Sequence, residues 1–138
     1  MSCRCEMPKY PDQAWHGRVT VRENVRLARD TYRVRFDAPE IARAIVPGQF
    51  VMVRTAPGTD PLLRRPFSVV EVLRDGEGAP VAISLLVKRV GPGTERLYAA
   101  AAGDRFACLG PLGRGFELVA APAEAWMVAG GVGLAGEA

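Results

Sequence analysis

Lysine is almost absent from this chain: of 18 basic residues, all but Lys9 and Lys88 are arginine. The arginines are scattered and no block of like charge forms. With a net charge of only +3, nothing points to a nucleic-acid or membrane partner. We read the arginine bias as coding preference. No apolar run approaches the length of a membrane span. A signal-peptide core is also lacking, since Met1 to Tyr10 is polar and holds Pro8. The expected location is therefore cytoplasmic. Cysteine is scarce, with Cys3, Cys5 and Cys108 only. Cys3 and Cys5 are too close for an easy disulfide and have no further ligands beside them, so no metal site is expected. Cys108 falls in an apolar strand pattern and reads as core. No internal repeat or low-complexity segment is evident.

What is present suits one soluble domain. The 138 residues can bury a real core, and 49% hydrophobic with 24% charged residues is ordinary for a globular protein. Residues 1–14 read as a disordered leader. His16 opens a strand in which Val19 and Val21 face one way and Arg18, Thr20 and Arg22 the other. Residues 25–29 lead to a turn near Asp30. Tyr32, Val34 and Phe36 then alternate with Arg33 and Arg35, one face buried and one wet. Pro39 to Ile45 suits a short helical turn. Further strands are expected over Gln49–Arg54, Phe67–Leu73, Val81–Val90 and Asp104–Leu109, with a short helix over Glu95–Ala102. Ala56 to Pro61 and Ala120 to Ala123 read as a loop and a linker. Ala125 to Ala129 is a continuous apolar run of the kind that forms a buried parallel strand. The pattern is all-β: about six antiparallel strands with one short helix, then the start of something different.

Three stretches carry chemistry. In Arg65-Pro66-Phe67-Ser68, Arg65 offers a planar fork of donors for a phosphate. Phe67 offers a flat apolar face, and Ser68 a hydroxyl and a backbone N–H for a ring heteroatom. In Val87-Lys88-Arg89-Val90-Gly91-Pro92-Gly93-Thr94, a strand runs through a glycine turn into a helix. Thr94 reads there as an N-cap or phosphate donor. In Gly130-Gly131-Val132-Gly133, a glycine turn follows an apolar run, as at the entry to a dinucleotide-binding unit. Taken singly, these suit a loop entering a strand, an ordinary capped helix and any tight strand-to-helix turn.

In this order the motifs, with the Gly110-Pro111-Leu112-Gly113 loop between the last two, resemble the ferredoxin reductase superfamily. The likeness is greatest to the electron-transfer subunit of class 1B dihydroorotate dehydrogenase, an enzyme of pyrimidine biosynthesis. Pro47-Gly48-Gln49-Phe50 resembles that family's third strand. The resemblance covers roughly residues 16–134. It implies a six-stranded antiparallel Greek-key barrel holding FAD over residues 15–122, and over 123–138 the first strand of an α/β NAD-binding domain. By that likeness Arg65 meets the FAD phosphates and Phe67 lies against the isoalloxazine, with Pro66 between them among the cofactor-binding residues. Ser68 bonds the flavin's reactive edge, Val87, Lys88 and Arg89 line the cofactor, and Gly93 and Thr94 take the pyrophosphate. Gly110, Pro111, Leu112 and Gly113 would sit at an interdomain cleft. Gly130, Gly131, Val132 and Gly133 would face the nicotinamide nucleotide.

The departures from the family set further expectations. Its nucleotide domain needs about a hundred more residues, so a truncated domain is expected. Its 2Fe–2S cluster uses four cysteines near the C-terminus, and those are expected only in the missing part. The implied function is the FAD-binding portion of an NADH-linked electron-transfer reductase, partnered by a catalytic dehydrogenase subunit. Alone, the chain is expected to lack efficient NADH-dependent turnover. An unpaired C-terminal strand would invite self-association. The alternative is a non-catalytic flavin-binding or interaction barrel.

Overall fold

The two-residue alternation at Tyr32, Val34 and Phe36 puts three large side chains on one face of a strand, and all three are fully buried. The same logic repeats around a closed barrel. The computed structural model describes residues 14–56, 58, 62–116, 124 and 126–136. The strands are β1 (Trp15–Ala28), β2 (Thr31–Asp37), β3 (Phe50–Arg54), β4 (Arg65–Arg74), β5 (Pro80–Lys88) and β6 (Arg105–Leu112). Two short helices, α1 (Pro39–Ala44) and α2 (Pro92–Tyr98), interrupt them. The order around the barrel is β1-β2-β5-β4-β3-β6, with β6 pairing back to β1. Every pairing is antiparallel. The expected all-β, six-stranded barrel is therefore present. The leader at 1–13, the linker at Ala120 to Ala123 and most of the Ala56 to Pro61 loop lie outside the described residues.

β1 is longer than its alternation indicates because it serves two neighbours in turn. Its first half, Trp15 to Thr20, pairs with β6; from Thr20 to Ala28 it pairs with β2. Register shifts after Val21 and Arg26 let it bend from one neighbour to the other. β5 stops at Lys88, not Val90, because Arg89 is drawn aside. Its N–H donates to the Asp30 carbonyl at 2.6 Å, and its guanidinium holds the Asp30 carboxylate at 2.8 Å. Asp30 itself has φ 55, a left-handed turn conformation that Asp tolerates.

The faces written as wet are not simply wet. Arg35 on β2 donates to Glu23 at 2.8 Å, to Glu71 at 3.3 Å and to the hydroxyl of Ser84 at 3.2 Å. Ser84 is fully buried beneath that layer. The ladder crosses four strands and satisfies a buried hydroxyl that would otherwise be costly.

The C-terminal stretch departs from expectation. Residues 126–130 take no regular structure, and Trp126, Met127 and Val128 are 81%, 68% and 83% exposed. The buried strand expected over 125–129 is therefore not formed at 126–129; Ala125 lies outside the described residues. A parallel strand needs parallel neighbours to bury both faces, and the described residues supply none. A 3-10 turn, Gly131–Gly136, follows and packs against β4 and β5, with Ala135 buried. The unpaired strand on which self-association was expected is thus not there to pair.

Candidate functional site

Arg65 and Phe67 open β4 on the inner side of the sheet. They sit opposite Val53 and Val51 respectively, both fully buried. Facing residues in an antiparallel pair point the same way, so Arg65 and Phe67 share the core face at the barrel's mouth. Phe67 is half-buried against the core, while Arg65 is exposed and forms no ion pair among the described residues. Pro66 and Ser68 lie on the other face.

Across from them runs the turn that starts α2. Arg65, Pro66 and Phe67 together with Val90, Gly91, Pro92, Gly93 and Thr94 line a groove of about 340 Å³. The helix begins three residues ahead of the expected start. Pro92 occupies its first turn, where a missing N–H is harmless and φ is already helical. Gly91, not Thr94, is the N-cap. The Thr94 hydroxyl is spent inside the turn. It accepts from the N–H of Val90 at 2.8 Å and of Gly91 at 3.1 Å, and lies 3.0 Å from the Gly91 carbonyl. The N–H groups of Gly93 and Thr94 stand ahead of the first intrahelical bond, which runs from Glu95 to Gly91.

Three ties that sequence reasoning missed hold this turn. The Tyr32 hydroxyl donates to the Thr94 carbonyl at 2.6 Å. Burial, and then the charge of Glu95, push that phenol well above its usual range. Asn24 on β1 donates to the carbonyls of Leu97 at 2.8 Å and Ala100 at 2.9 Å, closing the far end of α2. Arg89 joins Asp30 to Glu95 and stacks 4.6 Å from the centre of the Tyr98 ring. Its pKa is raised, first by the hydrogen bond to Asp30 and then by Glu95. The missed residues, Tyr32, Asn24 and Asp30, are distant in sequence from the turn they support, so no local pattern marks them.

The expected cofactor-lining residues thus divide. Arg65, Pro66, Phe67, Gly93 and Thr94 come together. Val87 is buried inside the barrel, so its side chain does not line the groove. Lys88 is exposed and outside the groove's lining, and Arg89 is committed to Asp30 and Glu95. Ser68 is exposed on the opposite face of β4 from Arg65 and Phe67.

Gly110, Pro111 and Leu112 belong to β6 rather than to a loop. Their glycines approach the chain itself. A Cβ on Gly110 would stand 2.8 Å from Val51 Cγ1, and Gly113, at φ +84, would place one 3.1 Å from the Phe50 ring. The Gly113 carbonyl accepts from the Gln49 side chain at 2.9 Å, tying the end of β6 to the turn before β3. Gly130, Gly131, Val132 and Gly133 are exposed and follow no strand.

An unpaired guanidinium, a half-buried aromatic ring and first-turn N–H groups around one groove suit a flat ring system carrying a phosphate tail. Comparison with known proteins agrees. The family described as the oxidoreductase FAD-binding domain matches residues 18–116. The electron transfer subunit of dihydroorotate dehydrogenase B (NAD(+)) from Desulforamulus reducens is 49% identical over 109 residues, covering 79% of this chain and 40% of that protein. The Fusobacterium nucleatum subunit of the same name is 36% identical over 117 residues, covering 83% of this chain and 44% of that one. The chain therefore spans less than half the length of these curated relatives. Among solved structures, an NADH-dependent reduced ferredoxin-NADP oxidoreductase superposes with a TM-score of 0.61 at 27% identity. That match covers 72% of this chain and 34% of the other. The Amycolatopsis cytochrome P450 reductase GcoB gives 0.58 at 32% identity, over 78% and 32%. With the family's match running from β1 to beyond the end of β6, and the groove inside it, the chain belongs to the oxidoreductase FAD-binding domain family.

Proposed function

We propose that this chain holds FAD in the groove between Arg65 and Thr94 and serves as the flavin-bearing part of an NADH-linked electron-transfer reductase. The observation that carries this is the placement of Arg65, free of any ion pair among the described residues, and Phe67 across from the first turn of α2. Arg65 would take a phosphate through charge-assisted hydrogen bonds, and Phe67 would lie against the ring. Gly93 and Thr94 would meet the pyrophosphate through backbone N–H groups, because the Thr94 hydroxyl is already engaged. Ser68 lies on the opposite face of β4 from Phe67 and outside the groove's lining, so it would make no contact with the ring. When bound, FAD supplies the redox chemistry that the polypeptide lacks. The names of the relatives place them as electron transfer subunits, which supports a catalytic dehydrogenase subunit as the electron-exchanging partner.

Titration of the purified chain with FAD and with FMN, followed by flavin absorbance and fluorescence, tests the reading. One FAD per chain is expected, with FMN binding weaker because it lacks the second phosphate. Absence of flavin binding, or equal affinity for the two, would overturn the assignment.

A further inference from the structure

On the outer wall of the barrel, away from the flavin groove, three arginines surround a hollow. Arg18 on β1 and Arg54 on β3 both sit opposite Ala107 on β6, so the three form one row across adjacent strands. Their neighbours Val19, Val53 and Cys108 are fully buried, which turns Arg18, Arg54 and Ala107 outward. Arg105, two residues before Ala107, is on the same face. The small Ala107 side chain leaves a depression between the long ones. The resulting pocket has a volume of about 230 Å³ and includes Thr55 in its wall.

Three features make this more than a solvated face. Arg18 and Arg105 form no ion pair or hydrogen bond among the described residues. Arg54 donates only to the Gly58 carbonyl, at 2.9 Å, while its Nε is buried without a partner. Thr55 is 3% exposed, and its hydroxyl has no hydrogen-bond partner among the described residues. Buried polar groups are ordinarily satisfied, and cations gathered without counter-charge repel one another. An oxyanion would satisfy both. By contrast, Arg22, Arg33, Arg35 and Arg89 elsewhere on the barrel have carboxylate partners.

We propose that this pocket is a binding site for a small phosphoryl anion, separate from the flavin groove and sharing no residue with it. Guanidiniums from Arg18, Arg54 and Arg105 would chelate the oxygens, with the Thr55 hydroxyl as a further donor. A concave hollow of this size takes inorganic phosphate, or the phosphoryl end of a small metabolite, rather than the flat face of a protein.

Calorimetric titration of the full 138-residue chain with inorganic phosphate, and separately with pyrophosphate, at constant ionic strength tests it. Saturable binding of at least one probe is expected, and the preferred probe tells a single phosphoryl group from a linked pair. The Arg18→Gln/Arg105→Gln double variant should weaken it about tenfold or more, since charge-assisted contacts are lost. Thr55→Val, which keeps the side-chain shape, should weaken it severalfold and raise the melting temperature of the anion-free chain, because an orphan hydroxyl is removed. The Arg65→Ala variant, which lacks the phosphate contact of the flavin groove, should keep a saturable phosphoryl site that the double variant loses, so the outcome does not depend on the flavin assignment. Binding of neither probe, binding indifferent to the double variant, or binding lost in Arg65→Ala would each overturn the proposal.

Discussion

The hydroxyl of Tyr32 donates a 2.6 Å hydrogen bond to the carbonyl oxygen of Thr94, so the fully buried core of β2 directly holds the first turn of α2. The ring also meets Tyr98 edge-on, with centroids 5.5 Å apart, at the other end of the same helix. One core residue thus sets where the groove's far wall stands. Tyr32→Phe keeps the packing and removes only the hydroxyl. We expect a stability loss of about 1 kcal/mol, the net worth of one hydrogen bond, and FAD binding weakened severalfold. Urea denaturation and a flavin titration of both proteins check this; unchanged FAD affinity would show that the turn is positioned without the bond.

Asn24 acts on the opposite end of α2. Its amide donates to the Leu97 carbonyl, which also accepts from the Ala100 N–H at 3.2 Å, and to the Ala100 carbonyl just past the helix. Asn24→Ala is expected to cost about 1–3 kcal/mol, because it takes this donor from the part-buried Ala100 carbonyl. Amide exchange should accelerate across residues 95–100 more than in β2 or β5. Uniform acceleration would instead assign Asn24 to global stability.

These supports explain which parts of the molecule were legible beforehand. The strands read well where burial is one-sided, as at Tyr32, Val34 and Phe36. The helix start was misplaced by three residues because Thr94 looks like an N-cap. Gly91 cannot announce itself as one, and Thr94 turns back to bond its own loop. Arg89 read as a cofactor contact because Asp30, its partner, lies 59 residues away in sequence. Val87 was named for its place in a motif, yet strand alternation from Leu85 already sends it inward. The row of Arg18, Ala107 and Arg54 escaped notice because only the β1-β6-β3 pairing brings it together. The apolar run at 126–129 carries the composition of a buried strand, but a strand forms only where neighbours exist to pair with it.

Arg65→Ala tests the groove directly. Arg65 is exposed and without an ion pair among the described residues, so its loss should leave stability nearly unchanged. FAD affinity should fall about tenfold, the low end for a charge-assisted contact, since water shares the site. Comparison of melting curves and flavin titrations separates the two effects. A variant that loses stability but keeps FAD would remove Arg65 from the site.

Gly110→Ala probes the close approach of β6 to β3. The added methyl would meet Val51 Cγ1 at 2.8 Å, and Val51 is fully buried with no room to retreat. We expect about 1–3 kcal/mol of destabilisation from overpacking. In a Val51→Ala background the same substitution should cost less, since the 2.8 Å contact to Cγ1 is gone while Cβ stays at 3.3 Å. Additive costs in the double variant would mean that Gly110 is required for backbone freedom and not for space.

Cys108 gives the barrel an alkaline limit. Burial pushes its thiol up to about 12, outweighing the opposing effects of the Leu109 N–H and the Arg64 guanidinium. An unfolded cysteine titrates near 8.5. The folded chain therefore holds a proton that the unfolded chain releases, and unfolding is favoured as pH rises from about 8.5 toward 12. Below that window the group has no effect on stability. Within it the loss approaches about 1.4 kcal/mol per pH unit for one group. Tyr32, raised in the same direction, adds its own share above about pH 10, where a free phenol ionises. Urea midpoints measured at pH 7, 8.5, 9.5 and 10.5 should therefore hold level at first and then fall, with the slope steepening at the last step. Cys108→Ala should start from a lower midpoint because a buried side chain is lost, yet stay flat to about pH 10. The same decline in both proteins would show that the thiol is not what sets the limit. The native thiol should likewise resist alkylation at pH 8.5 and react only at the rate of unfolding, because the thiolate is the reactive form and the fold suppresses it.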